Sequence, residues 1–188
     1  MSFDHFSLIA PVYARVKYSR VDVLREVASL PVDGLLLDAG GGTGRVSAAV
    51  RDLVREAVIV DLSIDMLRHA PRTRLQAVCG DSISLPFDTN SFDRVIMVDV
   101  IHHVKGQVET ALELLRVVKP GGLLVIEEPD IRTFGVKLIA LAEKFLLMQS
   151  HFLSPPEIMK IFEGENPGLK SDDGTCWVVI EKRAPRSL

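Results

Sequence analysis

The 188-residue chain has little cysteine, no large excess of either charge and no long apolar run. Each shortage removes a class of protein. Two cysteines, Cys79 and Cys176, cannot staple a disulfide-rich secreted domain. Each sits in an apolar, strand-like run, so both read as inert core thiols in a reducing cytosol. A formal charge of -3 gives no electrostatic reason to expect a nucleic-acid partner. The opening MSFDHFSLIA lacks the basic start and sustained apolar stretch of a secretory signal. No segment is apolar for the roughly 20 residues that a membrane-spanning helix needs. The nearest, 134–148, is broken by Lys137, Glu143 and Lys144. Repeats and low-complexity tracts are absent, and no metal is expected. The expectation is one cytoplasmic domain over residues 1–188.

What is present is a regular alternation of strands and helices. Short apolar runs at 35–38, 57–61, 75–79, 94–99, 123–127 and 175–182 read as strands. The second, AVIVD, is continuous and β-branched, as suits a strand covered on both faces. Helical spacing of apolar residues fills the intervals from about Ser19 to Pro31, from Val46 to Leu53, from Ser63 to Ala70 and from Gln107 to Val118. In the last of these, Val108, Ala111, Leu112, Leu115 and Val118 form the apolar stripe. Asp33-Gly34 reads as a turn before the first strand, and Lys119-Pro120-Gly121-Gly122 as a helix stop. A longer helix is expected near 131–149, its apolar stripe read as core rather than substrate tunnel. Ser154-Pro155-Pro156-Glu157 combines a capping box with proline at the first helical position. This pattern specifies an α/β fold, a doubly wound, Rossmann-like parallel sheet with helices on both faces.

The chemistry centres on Leu35–Arg45, LLLDAGGGTGR. An apolar strand ends in Asp38, and glycines at 40, 41, 42 and 44 then open into an amphipathic helix. Such a turn lets a ligand approach the backbone closely. Acids recur at the carboxyl ends of strands: Asp38, Asp61, Asp81 and Asp99. In an open α/β sheet these ends line one crevice, and an acid at the end of the second strand can accept from both hydroxyls of a ribose. The dinucleotide fingerprint places its third glycine where Arg45 stands, and no Gly-Lys-Ser or Gly-Lys-Thr triplet makes a phosphate loop. A nucleoside without a pyrophosphate fits better. S-adenosylmethionine has the ribose, the adenine and an amino-acid end whose ammonium needs an acceptor.

DAGGGTG, VDLSIDML, GDSISLPFDTNSFDRVIMVDVIHHV and LRVVKPGGLLVIEEP, in that order, resemble the class I S-adenosylmethionine-dependent methyltransferases. The chain is most similar to the small-molecule branch that includes the ubiquinone and menaquinone C-methyltransferases. The resemblance covers about residues 35–129, the cofactor-binding core, leaving 1–30 as an N-terminal helical or lid segment and 130–188 as helices and a terminal strand. It implies that Asp38, Ala39, Gly40, Gly42 and Gly44 surround the methionine part of the cofactor, with Asp61 on the ribose and Leu62 and Met66 against the adenine. Asp81 would accept from the adenine amino group beside the Ser82 amide, and Asp99 would close over the methionine end. It implies a last, antiparallel strand from Thr175 to Lys182. The Tyr-Asp pair common early in the family is here Tyr13-Ala14, so only the tyrosine transfers.

The implied activity is methyl transfer to a small-molecule acceptor with release of S-adenosylhomocysteine. No residue is assigned as catalytic; His102, His103 and Tyr13 are the candidates. Each site residue also has a plainer reading. Gly41 can serve turn geometry alone, Asp81 a cap, Asp99 a solvated strand end, and either histidine a structural role. Two rival functions are a cofactor-binding interaction protein and an NAD(P)-dependent oxidoreductase, against which Arg45 argues.

Overall fold

The computed structural model describes residues 10, 11, 13–137 and 150–184. Residues 138–149, most of the expected 131–149 helix, lie outside them, as do residues 1–9. Among the described residues seven strands form one sheet: β1 (Val32–Ala39), β2 (Val54–Asp61), β3 (Leu75–Cys79), β4 (Phe92–Val98), β5 (Val118–Pro129), β6 (Gly168–Asp172) and β7 (Thr175–Glu181). Their order is β3-β2-β1-β4-β5-β7-β6. The first five are parallel, and β7 runs antiparallel between β5 and β6. The helices are α1 (Val21–Val27), α2 (Arg45–Val50), α3 (Ile64–Leu67), α4 (Gln107–Val117) and α5 (Pro155–Ile161).

Alternate strand residues feed two cores. Leu36, Ala57, Ile59, Ile96, Val98, Val125 and Trp177 face α1 and α2, whereas Leu37, Val58, Val95, Met97, Ile126 and Val178 face α4 and α5. Burial of both faces is what the continuous apolar strands require. The same alternation puts Asp38, Asp61 and Glu127 on the α1/α2 side. Strand order reverses between β1 and β4, the switch point where open α/β sheets place their ligands.

Several expectations are corrected. Asp33-Gly34 lies within β1, where pairing with β2 shifts register between Val32 and Leu35. A Cβ on Gly34 would stand 2.6 Å from the Asp93 carboxyl, which accepts from Leu35 N–H and Lys119. Cys79 is exposed because β3 is an edge strand bonded only to β2; Cys176 is the core thiol, with burial pushing its pKa up to about 12. On α4 the inward stripe is Thr110, Ala111, Leu114 and Val117, while Val108 and Leu112 face outward. The capping box at Ser154 and Glu157 is formed as read.

Candidate functional site

The site is built from the loops that leave the carboxyl ends of β1, β2 and β4. Gly40, Gly42 and Gly44 all have left-handed φ, at 71°, 53° and 72°. A Cβ on Gly40 would lie 2.5 Å from Val100, one on Gly42 2.9 Å from the Met66 methyl, and one on Gly44 2.7 Å from Ile59. These positions therefore need glycine for both conformation and space. Gly41, at an ordinary φ, would meet the Asp38 carboxyl and Ile59 at 2.7 Å. Between Gly42 and Gly44, the buried Thr43 hydroxyl has no hydrogen-bond partner among the described residues.

Asp61 is pinned in place. Its Oδ2 accepts from Gly42 N–H at 2.9 Å and its Oδ1 from Ser63 N–H at 2.8 Å, so the end of β2 is tied to the glycine loop. Next to it Leu62 is 71% exposed, while Met66 is buried beneath Gly42. Asp38 lies deeper. Its carboxylate is buried and accepts from the Ser47 hydroxyl at 2.7 Å and, more weakly, from Ser47 N–H. Burial pushes its pKa up to about 6 despite those bonds. Ala39 is fully buried. Asp81 is exposed and accepts from Ile83 N–H at 3.1 Å, while Ser82 beside it is buried.

Asp99 follows β4 in a left-handed backbone conformation, φ 57°, and donates its N–H to the Glu127 carbonyl. Its carboxylate meets the Arg45 guanidinium at 2.9 Å. Arg45 opens α2 just after Gly44. Helical side chains lean toward the N-terminus, which returns the guanidinium over the loop instead of away from it. There it lies 5.2 Å from the Tyr13 ring centre and 5.8 Å from that of Tyr18.

Glu127, Glu128 and Tyr18, nearby, were not singled out in the sequence. Glu127 is fully buried, and its Oε2 accepts from the Tyr18 hydroxyl at 2.5 Å and from Trp177 Nε1 at 2.8 Å. Its Oε1 lies 3.7 Å from Arg20 and has no hydrogen bond among the described residues. Burial raises its proton affinity. Glu128, on the opposite face, accepts from Val100 and Ile101 N–H and meets His102 Nδ1 at 2.5 Å. His102 is buried and stacked on Phe152; His103 contacts the Ser150 hydroxyl at 3.1 Å, and burial lowers its pKa to about 4. The signal for Glu127 and Glu128 was the same acid-after-strand pattern that marked Asp38, Asp61 and Asp99. Nothing local marked Tyr18, whose role depends on a partner 109 positions away.

Among the described residues, no group of histidine, cysteine and carboxylate side chains could hold a metal, and no helix is long and apolar enough to cross a membrane. The family model for a methyltransferase domain matches residues 37–126. A demethylmenaquinone methyltransferase of Renibacterium salmoninarum is 38% identical over 102 residues, covering 53% of this chain and 43% of the relative. The ubiquinone/menaquinone biosynthesis C-methyltransferase UbiE of Coxiella burnetii is 35% identical over 104 residues, covering 50% and 42%. The matched region is thus less than half the length of either relative. Among solved structures, the [4+2]-cyclase SpnF superposes with a TM-score of 0.76 over 96% of this chain and 95% of its own, at 15% identity. That likeness concerns the fold alone.

Proposed function

We propose that this chain, whose residues 37–126 match the family model for a methyltransferase domain, is a class I S-adenosylmethionine-dependent enzyme that transfers a methyl group to a small-molecule acceptor. One observation carries the reading. The Asp61 carboxylate is held by Gly42 and Ser63 N–H groups at the end of β2, beside a loop in which three left-handed glycines let Val100, Met66 and Ile59 pack against the backbone. The residues present fit a nucleoside with an amino-acid tail. Asp61 would take the ribose hydroxyls, exposed Leu62 would cover one face of the adenine, and Asp81 with the Ser82 amide would meet its edge. Met66 supports the loop from beneath, and buried Asp38 braces its start through Ser47.

The cofactor would supply a methyl group already activated by positive sulfur. The chain's contribution is therefore chiefly positioning and exclusion of water. Asp61 and the glycine loop fix one end of the crevice. Tyr18, docked on Glu127, and Arg45 cover the α1/α2 side of the other. A general base is required only where the acceptor holds a proton at neutral pH. His103, whose pKa lies near 4, would be neutral there. The named relatives make demethylmenaquinone the first acceptor to try.

The rival reading is a cofactor-binding protein without methyl transfer. Both are tested by titrating S-adenosylhomocysteine and NAD calorimetrically, then assaying S-adenosylhomocysteine release against an acceptor panel. Micromolar binding of the sulfur nucleoside, with release dependent on an acceptor, is expected. NAD binding in its place would overturn the cofactor assignment, and binding without turnover on any acceptor would favour the rival.

A further inference from the structure

We infer that Glu127 takes the proton of the methyl acceptor through its Oε1 atom, and that the acceptor is a neutral phenolic or enolic hydroxyl compound. This rests on the methyl-transfer reading above and deepens it. Glu127 stands near the end of β5, between Val98 of β4 and Trp177 of β7 in the sheet, and its carbonyl accepts from Asp99 N–H. Its side chain thus lies beside the switch point, on the α1/α2 side that Asp38 and Asp61 share.

The carboxylate is fully buried, yet the donors around it crowd one oxygen. Tyr18 and Trp177 both donate to Oε2, which leaves Oε1 as the atom where a proton is gained. Among the described residues Oε1 is the one carboxylate oxygen sealed from water that lacks a hydrogen bond. Glu128, by contrast, has partners on both oxygens, in Val100 and Ile101 N–H and in His102. A buried oxygen without a donor is costly, and a ligand that brings one removes the cost. Burial also raises the proton affinity of Glu127, against Tyr18, Trp177 and Arg20, and the Asp99 charge adds to the rise. Arg20, 39% exposed, stands 3.7 Å from Oε1 without bonding it. A hydroxyl that moves the guanidinium aside therefore breaks no hydrogen bond at Oε1. The guanidinium then lies beside the oxygen losing its proton, where its charge favours a developing oxyanion and disfavours a cationic amine. A phenol or enol holds its proton at neutral pH and needs such a base. The O–H proton passes to Oε1, and the electron pair left behind attacks the methyl carbon. Attack comes from oxygen or from the conjugated carbon, which then returns its own proton to the oxygen. The carbon–sulfur bond breaks with its pair going to sulfur, and Oε1 afterwards gives its proton to water.

The test uses Trp177, the chain's one tryptophan, whose indole N–H rests on the same carboxylate. Its emission is followed in protein saturated with S-adenosylhomocysteine as phenol, anisole or benzylamine is added. These present one ring with a hydroxyl, with a methyl ether and with a cation. Phenol should bind at least about tenfold more tightly than either, the worth of one hydrogen bond to a charged group. In Glu127→Gln the amide oxygen stays with Tyr18 and Trp177, so its amino group stands where Oε1 did and an acceptor becomes a donor. That variant should lose the preference for phenol over anisole while S-adenosylhomocysteine affinity stays within about twofold of wild type. On an acceptor that wild type methylates it should turn over about a hundredfold more slowly, as loss of a general base entails. Equal wild-type response to phenol and anisole, or none to either, overturns the proposal without any variant, which covers a Glu127→Gln protein that does not fold. Tighter binding of benzylamine than of phenol overturns the hydroxyl class. A retained phenol preference or undiminished turnover in Glu127→Gln overturns the role of Oε1. Should wild-type protein not bind S-adenosylhomocysteine, or methylate no acceptor, the reading above fails, and that outcome is distinct from the others.

Discussion

Asp61 carries two duties that a single substitution can separate. Its carboxylate accepts from Gly42 and Ser63 N–H groups, so removing it loosens the glycine loop as well as the proposed ribose contact. Asp61→Ala should cost about 1–3 kcal/mol of stability for unsatisfied amides and about tenfold to a thousandfold in S-adenosylhomocysteine affinity, at about 1.5–3 kcal/mol per charged hydrogen bond. Asp61→Asn keeps one oxygen for the loop and leaves the other amide without its acceptor, so it should cost less stability than Asp61→Ala. Wild-type protein should prefer S-adenosylhomocysteine to its 2′-deoxy analogue, and the asparagine variant should lose much of that preference while its melting temperature falls less than that of Asp61→Ala. Undiminished discrimination in Asp61→Asn would assign the residue to the loop only. At this scale the acids were legible in the sequence because strand ends are local. Their division of labour was not. That Asp38 is buried against Ser47, whereas Asp61 sits at the crevice, follows from how far each strand runs before its loop turns away.

The glycine loop behaves as one element with the segment after β4. Gly40 at φ 71° faces Val100, and Val100 N–H is held by the Glu128 carboxylate. Gly40→Ala therefore meets two penalties, about 1–3 kcal/mol for the left-handed backbone and a further cost for a Cβ at 2.5 Å from Val100. Adding Val100→Ala should relieve most of the second, leaving only the Val100 Cβ at 3.1 Å, and leave the first. The double variant should then melt above the single one and below wild type, read by thermal denaturation. A double variant no more stable than Gly40→Ala would mean that the contact is not the constraint. Element positions were legible where periodicity is strong, as in β2, β4 and β5. They were not legible in β6, where GLKSD offers only Leu169 as an apolar residue and pairing comes from the Asp173-Gly174 turn to β7. Of the expected α4 stripe, Ala111, Leu115 and Val118 pack on the core, while Val108 and Leu112 are exposed and Thr110 and Leu114 are buried in their stead.

Across the whole molecule, buried ionisable groups set how stability depends on pH, with two opposing signs. Asp38, whose pKa is raised to about 6 by burial, titrates near 3.9 in an unfolded chain. Between those values the folded protein holds the extra proton, so stability falls as pH rises from about 4 to about 6. The Asp61 charge nearby adds to this rise, and Arg45 and Ser47 oppose it. Glu127 and Glu128 are shifted upward by burial as well, against the opposing donors Tyr18, Trp177 and His102, and they share the sign. His103 works the other way. Burial first, then the neighbouring His102 ring, lowers its pKa to about 4 from the usual 6.5, so the unfolded chain binds the extra proton and stability rises with pH across that interval. The two arms oppose each other between about pH 4 and 6, so each is read from its own variant. Asp38→Asn keeps an oxygen for Ser47 and removes the titration, so its stability relative to wild type should rise by about 3 kcal/mol across the interval. His103→Gln removes the rising arm, so its stability relative to wild type should fall over the same range. Urea midpoints at pH 4.5, 5.5 and 6.5 for the three proteins read both effects. Parallel curves for wild type and Asp38→Asn would show that the Asp38 carboxylate titrates as in the unfolded chain, and that the start of the glycine loop is open to water.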